Sequence, residues 1–201
     1  MAEVKPKHLR EKIYKGLGSG LTPLADKLTA LGLSPNHITW TGVVLSSIAA
    51  WLVAGGAFLA GGIVWFIGGG LDTLDGTMAR RQGVTSTYGS FLDSTTDRIS
   101  DGVMFAALIY YFAANNDPLN AAITAIALLS AVLTSYARAK AESLGVKCKG
   151  GLVTRGERVF VIGIGLLFGQ VIPALYVLFV LSLITVWQRI SEAKEQLHRP
   201  A

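Results

Sequence analysis

Cysteine is almost missing from this chain. Cys148 is the only one in 201 residues, which excludes an intramolecular disulfide. Its neighbours Lys147 and Lys149 could lower the thiol's pKa, but a lone surface thiol of no consequence is the simpler reading. Charge is also scarce, at 15% of residues against 51% hydrophobic, and the mean hydropathy is +0.49. A soluble fold is therefore excluded, and the chain reads as one compact membrane domain. No fully apolar stretch occurs before Ile38, and a long basic segment follows Met1. A secretory signal is thus not expected, and the N-terminus is expected to stay in the cytosol.

What is present is a series of apolar runs. They lie near 38 to 57, 58 to 78, 91 to 114, 119 to 140, 156 to 172 and 174 to 190. At about 20 residues per span, they predict an all-α membrane protein with six transmembrane helices. Breaks are expected at Gly55-Gly56 and Gly61-Gly62, at Asn115 to Pro118, and at Gln170 to Pro173. None of the 18 Lys and Arg residues falls in those breaks. All lie in the N-terminal segment, around 79 to 98, in 138 to 158, or after Val186, so these regions and both termini are expected on the cytoplasmic side of the cell membrane. The net charge of +5 follows from that bias together with attraction to anionic headgroups, which accounts for Lys5, Lys7, Arg10, Lys12, Lys15 and Lys194. No nucleic-acid partner is implied.

The first segment, 1 to 34, reads as a cytoplasmic piece ahead of the six-helix domain at 35 to 201. Thr22-Pro23 has the form of an N-cap and first-turn proline, Leu24, Leu28 and Leu31 repeat at helical spacing, and Gly32 ends the run. This predicts a short interfacial amphipathic helix. Gly16, Gly18 and Gly20 predict a looser stretch before it. Ser34-Pro35 repeats the capping pattern at the start of the first span. Trp40, Trp51, Trp65 and Trp187 are expected at membrane interfaces or facing lipid.

Acids are few, only 13 in all, yet four aspartates lie between residues 72 and 97, where two apolar runs meet. Asp72 and Asp75 are three apart, and Asp93 and Asp97 are four apart, so each pair shares a helix face. Bringing those faces together at a membrane edge is untenable without cations. Four carboxylates suffice for two hard divalent ions, Mg²⁺ or Mn²⁺, which bridge carboxylate to phosphate oxygens.

The full spacing is D-x2-D-G-x2-A-R-x8-G-x3-D-x3-D, filled by Asp72, Asp75, Gly76, Ala79, Arg80, Gly89, Asp93 and Asp97. It resembles the signature of the CDP-alcohol phosphotransferases, membrane enzymes that move a phosphatidyl-type group from a CDP-linked lipid onto an alcohol and release CMP. Paired metals suit that chemistry by neutralising the pyrophosphate and the departing CMP. Small Gly76 and Ala79 would let a nucleotide approach the helix beside Asp75, Arg80 could grip its phosphates, and Gly89 would permit close packing or substrate access. The resemblance implies that Asp72, Asp75 and Asp93 ligate metal and that Asp97 is the base, with metal ligation by Asp97 compatible with that role. Asp101 continues the Asp93 and Asp97 face but lies outside the signature, so a hydrogen-bonding or helix-packing role is as reasonable as catalysis.

A second polar concentration runs from Ser135 to Arg158. Arg138, Lys140, Arg155 and Arg158 lie nearest the membrane ends, and Arg155 and Arg158 open a helix whose N-terminus favours anions. Glu157 is an alternative partner for those two arginines, and positive-inside anchoring alone explains any one of these residues. SYARAKAE followed by the Arg155 to Arg158 stretch resembles the phosphatidylinositol-phosphate synthase branch and its archaeal ether-lipid counterpart. That resemblance implies inositol 1-phosphate as acceptor, with its phosphate held by Lys140, Arg158 and Arg189, and less directly by Arg155 and Arg138. Glycerol 3-phosphate would demand a similar basic pocket. A homodimer is also implied, and the small residues Ala121, Ala125 and Ala131 are compatible with one. Asn36, His37 and Thr39 could touch the nucleotide, although capping and interfacial hydrogen bonds explain them equally. Gly68-Gly69-Gly70 predicts close helix approach. A prenyltransferase would lack the D-G-x2-A-R element, and a divalent-cation transporter would leave Arg80 and the basic group unexplained.

Overall fold

A computed structural model describes residues 20–84, 86–146, 148 and 151–198. The basic residues before Lys27, together with Gly16, Gly18, Lys147 and Lys149, lie outside the described residues. The described chain is helical: α1 (20–30), α2 (Pro35–Ala54), α3 (Phe58–Gln82), α4 (Thr87–Ala114), α5 (Pro118–Ser143), α6 (Arg155–Leu167) and α7 (Val171–Leu197).

Helix α1 is already formed at Gly20, so Thr22 and Pro23 lie inside it and do not start it. Its end is as expected. Gly32 adopts a left-handed φ of 78°, and Leu33 N–H reaches back to the Leu28 carbonyl at 3.1 Å. Ala25 is buried with Ile38 of α2 and Leu74 and Met78 of α3, while Leu24 and Leu31 point outward. Arg81 pairs with Asp26 at 2.7 Å and Gln82 donates to Thr29 at 2.8 Å, fastening α1 to the end of α3. At Ser34 the expected cap is reciprocal: His37 N–H donates to Ser34 Oγ and Ser34 N–H to His37 Nδ1.

Helix neighbours close into a ring in the order α2, α3, α6, α7, α5, α4 and back to α2. The core inside includes Trp65, Met104, Phe105, Leu108, Leu166, Leu175 and Leu178. Trp65 therefore corrects the expectation for the tryptophans: it is 1% exposed, and its indole N–H donates to the Val159 carbonyl of α6 at 3.0 Å. Trp40, Trp51 and Trp187 are exposed. Gly55-Gly56 does form a turn, but Gly61-Gly62 lies within α3 and is no break. A Cβ on Gly61 would stand 2.6 Å from Val53 Cγ2, and one on Gly62 would stand 3.0 Å from Leu166 Cβ, so the pair permits helix contact. Gly68 and Gly69 serve the expected close approach toward α2 and α6, while Gly70 faces open space.

The expectation of six spans is met in part. Helices α2, α5 and α7 are long and apolar enough to cross a membrane. Helices α3 and α4 have 25 and 28 residues but carry the charged cluster. Helix α6 has only 13 residues, well short of the expected 156 to 172 run, because Phe168 to Gln170 turn the chain. At 1.5 Å per residue it covers roughly 20 Å, against about 30 Å of bilayer hydrocarbon.

Candidate active site

Alternation of helix direction gathers the starts of α2, α4 and α6 with the ends of α3, α5 and α7. The charged residues collect at that end. Asp75 on α3 is 5% exposed and accepts a 2.6 Å hydrogen bond from Thr39 Oγ1 of α2. The Thr39 hydroxyl, also 3.1 Å from the Pro35 carbonyl, has one proton, and the carboxylate is the stronger acceptor. Asp72 lies beside Gly42 of α2, where a Cβ would meet Asp72 Oδ1 at 3.5 Å. Asp93 and Asp97 lie one turn apart on α4 and so share a face of it.

Arg80 is exposed and donates from Nη2 to Thr77 at 3.2 Å, lying over Gly76, where a Cβ would stand 3.4 Å from Arg80 Nη1. Gly76 and Ala79 leave this face partly open. Gly89 has a local role, donating its N–H to the N-cap Ser86 Oγ at 2.9 Å.

The central contact comes from α6. Arg155 Nη1 pairs with Asp72 Oδ2 and stands 2.6 Å from Asp97 Oδ1, while its Nε lies 3.9 Å from Asp101 Oδ1. Arg158, 4% exposed, donates from Nε and Nη2 to Asp101 Oδ2 at 3.0 and 2.7 Å. Asp101 is thus the buried counter-ion of Arg158. Its four-residue spacing from Asp97 signalled the face but not the partner. Glu157 accepts from the Thr154 N–H at 2.7 Å and from its hydroxyl, closing a capping box that starts α6.

Among the described residues, no three His, Cys, Asp or Glu side chains are gathered as closely as metal ligands are. A guanidinium lies between Asp72 and Asp97 in this arrangement. The donors themselves fit a hard divalent ion: all are carboxylate oxygens, and buried Asp97 Oδ1 has no donor in hydrogen-bonding alignment.

The remaining basic residues lie on α5 and α7, toward the same end of the ring. Arg189 of α7 is 4% exposed and donates from Nη1 to the Thr134 carbonyl of α5. A Cβ on Gly151, whose φ is 132°, would lie 3.2 Å from Arg189 Nη2, so glycine lets this loop lie against the guanidinium. Arg138 of α5 pairs with Glu142 at 2.8 Å. Lys140 is exposed near the end of α5. Cys148 is buried rather than superficial: its Sγ lies 3.8 Å from Glu192, and burial, then the Glu192 carboxylate, raise its pKa above the ordinary thiol value.

Known proteins share this fold and about a third of this sequence. The archaetidylinositol phosphate synthase of Pyrococcus horikoshii is 35% identical over 187 residues, covering 92% of this chain and 97% of its own. The crystal structure of Mycobacterium tuberculosis phosphatidylinositol phosphate synthase with CDP-DAG bound matches with a TM-score of 0.80 at 33% identity, covering 86% of this chain and 92% of that one. The same enzyme in complex with manganese and citrate gives 0.82 at 32% identity, covering 90% and 93%. The family model for CDP-alcohol phosphatidyltransferase matches residues 32–189, which take in Thr39, all five clustered aspartates and the arginines of α6 and α7; the chain belongs to that family.

Proposed function

We propose that this membrane enzyme transfers the phosphatidyl-type group of a CDP-linked lipid, diacylglycerol or ether type, to a hydroxyl of inositol 1-phosphate and releases CMP. The carrying observation is the meeting, at one end of the helical ring, of the α3 and α4 aspartates with arginines of α6. Support for the acceptor comes from the synthases of inositol-phosphate lipids among the relatives.

In this reading Asp72, Asp75, Asp93 and Asp97 hold two Mg²⁺ or Mn²⁺ ions, whose chemistry when bound is neutralisation of the pyrophosphate and of the leaving CMP. Thr39 orients Asp75. The face at Gly76, Ala79 and Arg80, beside buried Asp75, admits the nucleotide, and Gly89 at the start of α4 contributes to the same binding. Asp97 accepts the proton of the acceptor hydroxyl as its oxygen bonds to the lipid phosphorus and the bond to CMP breaks. Lys140, Arg158 and Arg189 bind the acceptor phosphate, with Arg155 and Arg138 at its margin, and Asp101 holds Arg158 in place. Six helices cross the cell membrane, the short α6 completing its crossing with the loop residues at either end, α1 lies on the cytoplasmic leaflet, both termini and the site face the cytoplasm, and the enzyme works as a homodimer.

The test supplies purified enzyme with CDP-diacylglycerol, or its ether analogue, and a panel of acceptors. CMP release should require divalent metal, stop in excess chelator, and occur with inositol 1-phosphate but not with free inositol. Preference for glycerol 3-phosphate would reassign the acceptor. CMP release undiminished by chelator would overturn the metal assignment.

A further inference from the structure

Arg155 is poorly placed for a residue that only binds phosphate. Its Nη1 reaches two carboxylates from different helices, Asp72 on α3 and Asp97 on α4. A guanidinium there supplies the positive charge that two converging carboxylates need in a partly desolvated site. It also occupies the space between them, and among the described residues the carboxylates are not gathered as metal ligands are. A second acceptor lies within reach: Asp101 Oδ1 is buried, has no hydrogen-bond partner, and stands 3.9 Å from Arg155 Nε. Asp101's other oxygen is committed to Arg158.

We propose that Arg155 is a built-in counter-cation of the carboxylate site, which divalent metal displaces from Asp72 and Asp97 onto Asp101 Oδ1. The inference rests on the metal-binding reading above. Arg155 Nη1 and a metal ion cannot occupy the same position between the Asp72 and Asp97 oxygens, so metal entry there and Arg155 withdrawal are one event. The displaced guanidinium moves toward Arg158, adding positive charge on the side of α6 assigned to the acceptor phosphate. Metal loading should therefore favour acceptor binding, and acceptor binding should favour metal to the same degree.

The experiment measures Mn²⁺ affinity of the purified full chain by electron paramagnetic resonance of free Mn²⁺, together with thermal midpoints with and without Mn²⁺. Arg155→Gln should bind Mn²⁺ about tenfold more tightly than wild type, within the usual span of such couplings. Its midpoint should be lower without metal and rise more on adding it. A merely structural role would lower the midpoint without raising affinity. Equal or weaker Mn²⁺ affinity in Arg155→Gln would overturn the inference while leaving the metal site standing. Failure of both wild type and variant to bind Mn²⁺ would overturn both readings. A structure of Mn²⁺-loaded wild type gives a check independent of the variant's folding: Arg155 Nε should close on Asp101, and a guanidinium still lodged between Asp72 and Asp97 would defeat the proposal.

Discussion

Thr39 shows how much one hydroxyl can decide. It is buried on α2, 36 residues before the carboxylate it serves, and its 2.6 Å bond goes to one oxygen of Asp75. A hydrogen bond to a charged group is worth about 1.5–3 kcal/mol, so Thr39→Val should lower kcat/KM by roughly 10- to 100-fold, while Thr39→Ser keeps most of the activity. Equal activity in Thr39→Val would show that Asp75 needs no such orientation. Asp97→Asn should lose about 10²- to 10⁴-fold in rate with CDP-lipid binding largely kept, as expected for a missing base, and near-normal turnover would remove it from that role. Cys148 carries a prediction of the opposite kind. Burial and the Glu192 carboxylate both disfavour its thiolate. At pH 8 iodoacetamide should therefore label it slowly in the native protein and readily after denaturation, which mass spectrometry reads directly.

At the scale of elements, glycine separates contact from propensity. Gly61 faces α2 closely enough that an added Cβ would stand 2.6 Å from Val53 Cγ2 and 3.1 Å from the Ala49 carbonyl, whereas Gly70 on the same helix has nothing within 4 Å. Gly61→Ala should destabilise by about 1–3 kcal/mol through overpacking. Gly70→Ala should be neutral or stabilise by up to about 1 kcal/mol through helix propensity. Thermal midpoints of the two variants check both signs at once. These positions also mark where the sequence was legible. The helix start at Ser34 follows from cap chemistry, which is local. Gly61-Gly62 read as a turn because glycine weakens a helix wherever it stands, and only the partner helix reveals that the missing side chains are needed for contact.

At the scale of the whole molecule, the ring has two chemically distinct ends. One gathers the aspartates and arginines; the other carries the turns at Gly55-Gly56, Asn115-Asn116 and Phe168 to Gln170. Single cysteines placed at Val84 and at Asn115, in a Cys148→Ser background, should react with a membrane-impermeant thiol reagent from opposite sides. In intact cells Asn115→Cys should label and Val84→Cys should not, with Val84→Cys labelling only after permeabilisation. The reverse pattern would invert the topology and place the site outside.

By itself the sequence determined the features that depend on near neighbours: helical runs, the cap at Ser34, and the Asp72 to Asp97 pattern whose three- and four-residue spacings put carboxylates on shared faces. Those spacings express the 3.6-residue helical repeat, which a sequence carries openly. The tertiary structure alone decided which faces meet: Arg155 with Asp72 and Asp97, Arg158 with Asp101 across 57 residues, and the Trp65 indole with Val159 across 94. Helix rotation and neighbour choice arise from packing of whole surfaces, so no local pattern encodes them. The basic residues accordingly looked alike in the sequence, and became a counter-cation, a buried ion pair and an exposed lysine only once the ring had closed.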